Sequence, residues 1–294
     1  MYRALQPIVE AAGEPVFAVT TVPIVADLMG KLAVDHWTYY CVDDFSSWPG
    51  LDQPTMERME RAVIARCDKA IAVSDNLIAR LRDRGKESTL LSHGVDLSFW
   101  SPPNSAAGER HLRHPEHPLI VFWGVIDRRM NVDWIRRLAH DLTGGTILLV
   151  GPLDAPDPEL LKLPRVVHRP SVPLAELPSI ADSADVLVMP YADLPVTRAM
   201  QPLKLKEYLA TGKPMVSSDL PAVREWSDCL DIASTPEEFS ALVRTRARTG
   251  KLSAQISARQ RLEAESWQAK SLAFEAIVCC AGQQAGREVA LSAT

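Results

Sequence analysis

The chain has 294 residues, 47% hydrophobic and 23% charged, a composition typical of a globular protein with two α/β domains of ordinary size. Its formal net charge of −5 argues against a general nucleic-acid-binding protein. The five cysteines show no Cys-x-x-Cys spacing, which indicates reduced thiols rather than a disulfide framework. No apolar run approaches the roughly 20 residues of a membrane helix, and no signal peptide is visible. We therefore expect a cytoplasmic protein, and peripheral contact with the inner face of the membrane stays open.

In the first half of the chain, short apolar segments alternate with helical patterns. Strands are predicted at residues 16–19, 38–42 and 69–73. Helices are predicted at 24–32, at about 54–67, and after Ser74, which can cap a helix. We interpret residues 1–100 as a short first domain.

Residues 101–118 are rich in Pro, Asn, Ser, Gly and His, which predicts a linker between domains. The alternation then restarts, with strands predicted at 119–123, 147–150, 166–168, 186–189 and 215–217. We assign residues 119–265 to a second domain and 266–294 to a last helix with a frayed tail. Strands that alternate with helices predict an α/β protein with two doubly wound parallel sheets. A ligand cleft is then expected at the carboxyl ends of the strands.

The most informative segment runs from Met200 to Val216. Pro202 is suited to the first position of a helix, and Gly212 to the left-handed position just after its end. The free N–H groups at such a helix start form an anion site, to which Lys204 adds positive charge. Glu207 lies about one turn further along the same face, where its carboxylate can accept hydrogen bonds from two ribose hydroxyls. The segment therefore predicts a site for a nucleotide diphosphate.

These residues also carry a resemblance. Pro190-Tyr191, Gln201-Pro202-Leu203-Lys204 and the run from Glu207 to Pro214 resemble the donor-site signature of GT-B glycosyltransferases. The resemblance is greatest to family 1/4-like bacterial members that build cell-surface polysaccharides. It implies two Rossmann-like domains, with the acceptor on the side of the first and the nucleotide sugar in the second. It also implies that Glu207 binds the ribose, that Gln201, Pro202 and Lys204 belong to the donor site, and that the last helix returns to the first domain.

The loop after the strand at 119–123 is a second part of the predicted donor site. Gly124 allows a phosphate to approach the backbone closely, and Arg128 and Arg129 offer planar donors to phosphate oxygens. The family pattern has an Arg and a Lys near the places of Val125 and Met130. Arg128 or Arg129 is expected to substitute, and the sequence does not choose between them.

Two further loops complete the predicted site. Asp43 and Asp44 follow the strand at 38–42, where adjacent carboxylates can raise one pKa and supply a general base. The matching loop in the family faces the transferred sugar or the acceptor. Asp43 and Asp44 are also read as half of a metal site, or as simple turn residues. After the strand at 166–168, the resemblance places the nucleotide base against the backbone of Ser171 and Val172.

The resulting hypothesis is a glycosyltransferase that moves a sugar from a nucleotide-diphosphate sugar to a lipid-linked or polysaccharide acceptor. The family commonly manages the diphosphate without a metal, so we expect metal-independent catalysis and no cofactor. One alternative is a nucleotide-sugar-binding protein or truncated subunit without transferase activity, because the first domain is short and has no opening Gly-rich loop. Another is a sugar-nucleotide epimerase of the same fold, although its usual paired His and Glu residues are not found.

Overall fold

The computed structural model describes residues 1–13, 15–48, 50–101 and 116–279. Within these ranges no helix is both long and apolar enough to cross a membrane. The predicted linker at 101–118 falls mostly outside the described residues, and so does the predicted frayed tail.

The described residues form alternating strands and helices. The strands are β1 (Phe17–Thr20), β2 (His36–Cys41), β3 (Lys69–Ala72), β4 (Thr89–Leu90), β5 (Leu119–Trp123), β6 (Ile126–Asp127), β7 (Thr146–Val150), β8 (Leu153–Asp154), β9 (Val166–Arg169), β10 (Val186–Met189), β11 (Met215–Ser218) and β12 (Asp231–Ala233). The α-helices are α1 (Tyr2–Ala11), α2 (Gln53–Ile64), α3 (Asp75–Asp83), α4 (Leu97–Trp100), α5 (Val132–Asp141), α6 (Leu177–Ser183), α7 (Pro195–Ala199), α8 (Leu203–Ala210), α9 (Pro221–Arg224), α10 (Pro236–Thr249), α11 (Ser253–Ala258) and α12 (Trp267–Cys279).

The chain divides into two compact units. The first contains the described residues of 1–93, 199–201 and those from Trp267 onward, and the second contains those of 94–198 and 202–266. Helix α12 is thus part of the first unit, where the Lys69 ammonium donates to the Ile277 carbonyl. The Tyr40 ring lies 5.9 Å from that of Phe274, also on α12.

The first unit is built on a parallel sheet with the strand order β1-β2-β3-β4. Tyr39, Val63, Leu77 and Leu81 are fully buried in its core. Helix α3 begins where predicted, because the Ser74 hydroxyl accepts the Leu77 N–H at 3.4 Å.

The helix predicted at residues 24–32 does not form. A 3-10 helix covers Pro23–Asp27, and turns follow it. Gly30 has a φ of +84°, a left-handed conformation that a helix cannot accommodate. The apolar residues of this segment are therefore buried from a 3-10 helix and the turns after it, and not from one face of an α-helix.

The second unit is built on a larger parallel sheet with the strand order β12-β11-β10-β5-β7-β9. Strands β5, β10 and β11 are buried along their whole length, and β5 and β10 are accordingly continuous apolar runs in the sequence. From β5 the chain builds outward through β7 and β9, then returns to the other side of β5 with β10. The order therefore reverses between β5 and β10, and open α/β sheets bind ligands at such a reversal, beyond the carboxyl ends of the strands. The parallel sheets of both units confirm the predicted α/β fold, and the reversal of strand order in the second sheet is that of a doubly wound sheet.

Candidate functional site

The carboxyl ends of β5 and β10 bring Gly124, Tyr191 and Lys204 together. The Lys204 ammonium donates to the Tyr191 hydroxyl and lies 4.6 Å from the centre of the Phe122 ring. It lies 4.9 Å from the centre of the Tyr191 ring. A cation against an aromatic face, here that of Phe122, is stabilised electrostatically, which offsets part of the cost of removing it from water.

A glycine is required at position 124 by its backbone conformation and by the side chain beside it. Its φ is +134°, and a Cβ built on it would lie 2.5 Å from Lys204 Nζ. A Cβ on Gly151, at the end of β7, would collide with the Gly124 carbonyl oxygen. The two glycines thus keep the backbone open beside the ammonium, as close approach of a phosphate requires.

Helix α8 places Glu207 beside the end of β5. The Trp123 indole N–H donates to Glu207 Oε2 at 3.2 Å. Burial raises the pKa of Glu207, while the Trp123 hydrogen bond and the positive charge of Lys204 act in the opposite direction. The carboxylate is therefore oriented and poorly hydrated, which suits an acceptor of hydrogen bonds from a ligand.

Trp123 is itself held on two sides. Its backbone N–H donates to the Tyr208 hydroxyl at 2.9 Å, and its ring meets the Tyr208 ring edge-on at 4.1 Å. The Trp100 ring stacks on it at 5.3 Å with an interplanar angle of 7°. The support of Glu207 therefore comes from three aromatic residues. Tyr208 belongs to the signature run, but the sequence pattern gave no role to Trp100 or Trp123.

The start of α8 differs by one position from the prediction. The helix begins at Leu203, and Pro202 is its N-cap residue with a φ of −67° and a ψ of 118°. No side chain caps this end, so its first N–H groups remain open to an anion. Gly212 has the predicted left-handed conformation, with a φ of +75° just past the helix. Gln201 is buried and belongs to the first unit.

Arg128 and Arg129 differ in their surroundings. The Arg129 Nε donates to both oxygens of Asp127, at 3.0 and 2.8 Å, and only 8% of Arg129 is exposed. Its guanidinium carbon lies 5.9 Å from the centre of the Tyr191 ring. Arg128 is exposed. Arg129 thus lies next to Tyr191, and Asp127 balances its charge. Arg128 is the arginine that faces solvent.

The loop that carries these arginines contains a short strand before the next helix begins. Ile126–Asp127 form β6, which pairs with β8, and α5 starts only at Val132 with Asn131 as its cap. The two-stranded sheet of β6 and β8 holds Asp127 in the position where it binds Arg129.

Ser171 and Val172 lie in the loop after β9, Ser171 exposed and Val172 half-buried. The loop is supported by an ion pair of 2.8 Å between Arg169 and Glu176. Strand β9 is the second neighbour of β5 in the sheet. Two strand spacings amount to about 10 Å, so these residues lie at the same sheet edge as Gly124 but well separated from it.

In the first unit, Asp43 and Asp44 follow β2 and are half-buried. Asp44 accepts hydrogen bonds from the Ser46 N–H at 3.1 Å, the Ser46 hydroxyl at 2.5 Å and the Ser47 hydroxyl at 2.6 Å. Its carboxylate also pairs with Arg80 at 2.8 Å. Burial alone would raise the pKa of Asp44, but these hydrogen bonds and Arg80 outweigh burial and lower it. Asp44 thus has the contacts of a capping residue, and its own N–H donates to an Asp43 oxygen at 3.1 Å.

Arg80 connects Asp44 to a buried carboxylate that sequence reasoning missed. Glu60 is 3% exposed, accepts the Tyr39 hydroxyl at 2.9 Å and pairs with Arg80 at 2.7 Å. Arg84 also donates to it. A buried carboxylate needs such partners. Glu60 lies on α2, whereas Arg80 lies on α3 and Arg84 just after it, so no sequence motif joins them.

Among the described residues, no three His, Cys, Asp or Glu side chains are grouped as a metal site would need. The metal-site reading of Asp43 and Asp44 therefore gains no further ligand from the described part of the first unit.

The chain resembles known proteins both in sequence and in fold. Residues 117–246 match the model of the family described as glycosyl transferases group 1. TuaH of Bacillus subtilis (strain 168), named as a candidate teichuronic acid biosynthesis glycosyltransferase, is 31% identical over 171 residues, which are 55% of this chain and 43% of TuaH. The chain thus matches less than half the length of that curated relative.

Solved structures resemble the chain over nearly its whole length. Sucrose-phosphate synthase from Thermosynechococcus elongatus has a TM-score of 0.71 at 19% identity, covering 99% of this chain and 77% of that one. Anabaena HepE, solved in complex with UDP and glucose, has a TM-score of 0.66 at 15% identity, covering 92% of this chain and 81% of that one. The fold of the chain is therefore that of GT-B glycosyltransferases, and its residues 117–246 are similar to the glycosyl transferases group 1 family.

Proposed function

We propose that the chain is a glycosyltransferase that binds a nucleotide-diphosphate sugar in its second unit and transfers the sugar to a lipid-linked or polysaccharide acceptor. The observation that carries the proposal is the position of Lys204. Its ammonium lies against Gly124 at the reversal of strand order, one turn before Glu207 on a helix whose start has no side-chain cap. HepE has been solved with UDP-glucose, and TuaH is named for teichuronic acid biosynthesis; both support a nucleotide-sugar donor and a glycan product.

In this proposal the diphosphate lies between Gly124 and the start of α8. Lys204 and the first N–H groups of α8 stabilise the negative charge that develops on the leaving diphosphate. The exposed guanidinium of Arg128 adds a further positive charge. Fixed donors aimed at developing charge are the strongest device of such a site. Because these donors are basic groups and helix N–H groups, we propose that transfer needs neither a metal nor a cofactor.

Glu207 binds the ribose hydroxyls through the oxygen atoms that Trp123 orients. The backbone at Ser171 and Val172 borders the base, about 10 Å along the sheet edge from Gly124. This spacing matches a nucleotide laid across the ends of β5, β7 and β9. Arg129 acts indirectly, since its ion pair with Asp127 fixes the loop that ends at the Tyr191 contact.

Asp43 is the proposed general base, in preference to Asp44. A base must offer a lone pair to the proton it accepts. The Asp44 oxygens accept three hydrogen bonds and an ion pair. A lowered pKa also makes Asp44 the weaker base.

The same contacts of Asp44 favour a second candidate function, a nucleotide-sugar-binding protein without transferase activity. If neither Asp43 nor Asp44 takes part in chemistry, the proposed donor site of the second unit is unaffected. Two measurements separate these functions. Thermal stabilisation by a panel of UDP-, GDP- and ADP-sugars identifies the donor, because ligand at about 100 times its dissociation constant adds roughly 2.7 kcal/mol of stability. Release of nucleoside diphosphate in the presence of membrane-extracted lipid acceptors then reports transfer, and binding without release supports the second function.

A further inference from the structure

A cavity of about 370 Å³ opens at the carboxyl ends of β10, β11 and β12, on the side of Tyr191 away from β7 and β9. All of the residues that line it belong to the second unit. Trp134, Tyr191, Ser218 and Ala233 are buried and line its inner part. Ligand pockets range from about 300 to 1,000 Å³, so this cavity suits one or two sugar rings rather than a whole nucleotide sugar.

Two arginine–aspartate pairs form the rim of the cavity. Arg198 binds both oxygens of Asp193, at 2.5 and 2.6 Å. Arg224 binds both oxygens of Asp219, at 2.7 and 3.0 Å. The hydrogen bond from Arg198 lowers the pKa of Asp193 most, and the positive charge of Arg224 acts in the same direction, so the two pairs influence each other electrostatically.

The charges of this rim cancel, which decides the class of ligand. An anion would meet as much negative as positive charge, and so would a cation. The paired Arg224 and Asp219 can still offer outward N–H donors and carboxylate lone pairs to a ligand. A neutral molecule that carries both donors and acceptors gains most from such a surface.

Asn131 adds an uncharged hydrogen-bond donor to the cavity. Its side-chain oxygen accepts the Asp133 N–H at 3.1 Å and caps α5, which leaves the amide NH₂ as the group that it can offer a ligand. The aromatic side chains of Trp134 and Tyr191 border the same space. Hydroxyl-rich rings with apolar faces fit a cavity that combines aromatic walls with a few placed polar groups.

We propose that this cavity binds a neutral glycosyl unit of a glycan, independently of the donor nucleotide. The inference goes beyond the proposed function and does not depend on sugar transfer, because it concerns binding outside the proposed diphosphate site at Gly124 and Lys204. Tyr191 borders both places, since its hydroxyl receives the Lys204 hydrogen bond. The alternative source of a sugar in the cavity is therefore the donor itself, and the experiment must distinguish the two.

Ligand-observed NMR on the intact chain, with saturating UDP present, tests the proposal. The probes are the methyl glycosides of glucose, galactose, mannose and N-acetylglucosamine, with methyl glucuronide as the anionic match for glucose. We expect at least one neutral glycoside to bind, and the glucuronide to bind more weakly than the glucoside. The signal should persist in Lys204→Met, which removes the donor-site cation.

Two variants and one control assign the binding to the cavity. Asn131→Ser keeps a helix cap but removes the amide donor, so affinity should fall about two- to tenfold, as for one neutral hydrogen bond. Asp219→Asn leaves Arg224 without its counter-charge and should reverse the preference in favour of the glucuronide. Asp228→Asn removes the partner of Arg261 outside the cavity and should change nothing.

Three results would overturn the proposal. The first is the absence of binding by every neutral glycoside. The second is binding that neither Asn131→Ser nor Asp219→Asn alters. The third is binding that UDP-glucose abolishes and UDP does not, because the cavity would then belong to the sugar of the donor.

Discussion

The indole N–H of Trp123 donates to Glu207 Oε2 at 3.2 Å and joins the last residue of β5 to helix α8. The carboxylate is therefore fixed by the same strand end that carries Gly124. Because the hydrogen bond comes from a buried ring, Glu207 is oriented before any ligand arrives, which reduces the entropy lost on binding.

Glu207→Gln is expected to weaken UDP binding without weakening the fold. A hydrogen bond to a charged group contributes roughly 1.5–3 kcal/mol, so affinity measured by calorimetry should fall about ten- to a hundredfold. Burial raises the pKa of Glu207, so the folded state holds its proton more tightly than the unfolded state does. Ionisation of Glu207 therefore destabilises the fold as pH rises.

The glutamine variant has no charge to desolvate. Its unfolding temperature at pH 7 should equal or exceed that of the wild type, and the difference should disappear at a pH low enough to protonate Glu207. Glu225→Gln, on an exposed side chain, is the control. A less stable variant with unchanged UDP affinity would remove Glu207 from the site.

Gly124→Ala should disturb both stability and donor binding. The new Cβ would lie 2.5 Å from Lys204 Nζ and force a side chain into a φ of +134°. Such strained conformations cost about 1–3 kcal/mol, which urea unfolding resolves. Gly144→Ala meets nothing within 4 Å and should be nearly neutral. Equal effects of the two substitutions would contradict the assigned role of Gly124.

Asp43→Asn and Asp44→Asn should separate chemistry from structure. General acid–base assistance is worth about 10²–10⁴-fold in rate, so Asp43→Asn should lower turnover by that range with UDP affinity preserved. Asp44→Asn breaks the Arg80 pair and should cost about 1–3 kcal/mol of stability.

The pH dependence of this cost has a defined sign. The pKa of Asp44 is lowered in the folded state, so its contribution is present above its ordinary pKa and is lost as pH falls through the lower, folded value. Denaturation curves of wild type and Asp44→Asn should therefore converge in acid. A loss of turnover in Asp44→Asn at full stability would instead make Asp44 the base.

Removal of divalent metal should leave transfer unchanged within a small factor. The proposed diphosphate contacts are Lys204, Arg128 and helix N–H groups, which supply the charge that a metal would provide. The measurement is initial rate with excess EDTA against a buffer control. Complete loss that magnesium or manganese restores would support the metal reading of Asp43 and Asp44.

The sequence predicted the parts of the site that depend on local pattern. Gly124 ends an apolar run, and the helix with Lys204 and Glu207 is bounded by Pro202 and Gly212, so sheet topology alone places them together. The Asp127–Arg129 pair and the Glu60 network could not be predicted, because they depend on packing between elements without a fixed spacing. Asp44 is an intermediate case. An aspartate with serines two and three residues after it, Ser46 and Ser47, is typical of a turn, and this interpretation competed with the catalytic one.

Calorimetry of Lys204→Met with UDP and with uridine tests the central claim, that the diphosphate lies at Lys204. The account predicts that UDP affinity falls about tenfold or more, as expected for a charged hydrogen bond, whereas uridine affinity is unchanged because uridine lacks phosphate. Unchanged UDP affinity, or an equal loss for uridine, in a variant that unfolds at the wild-type temperature would contradict it.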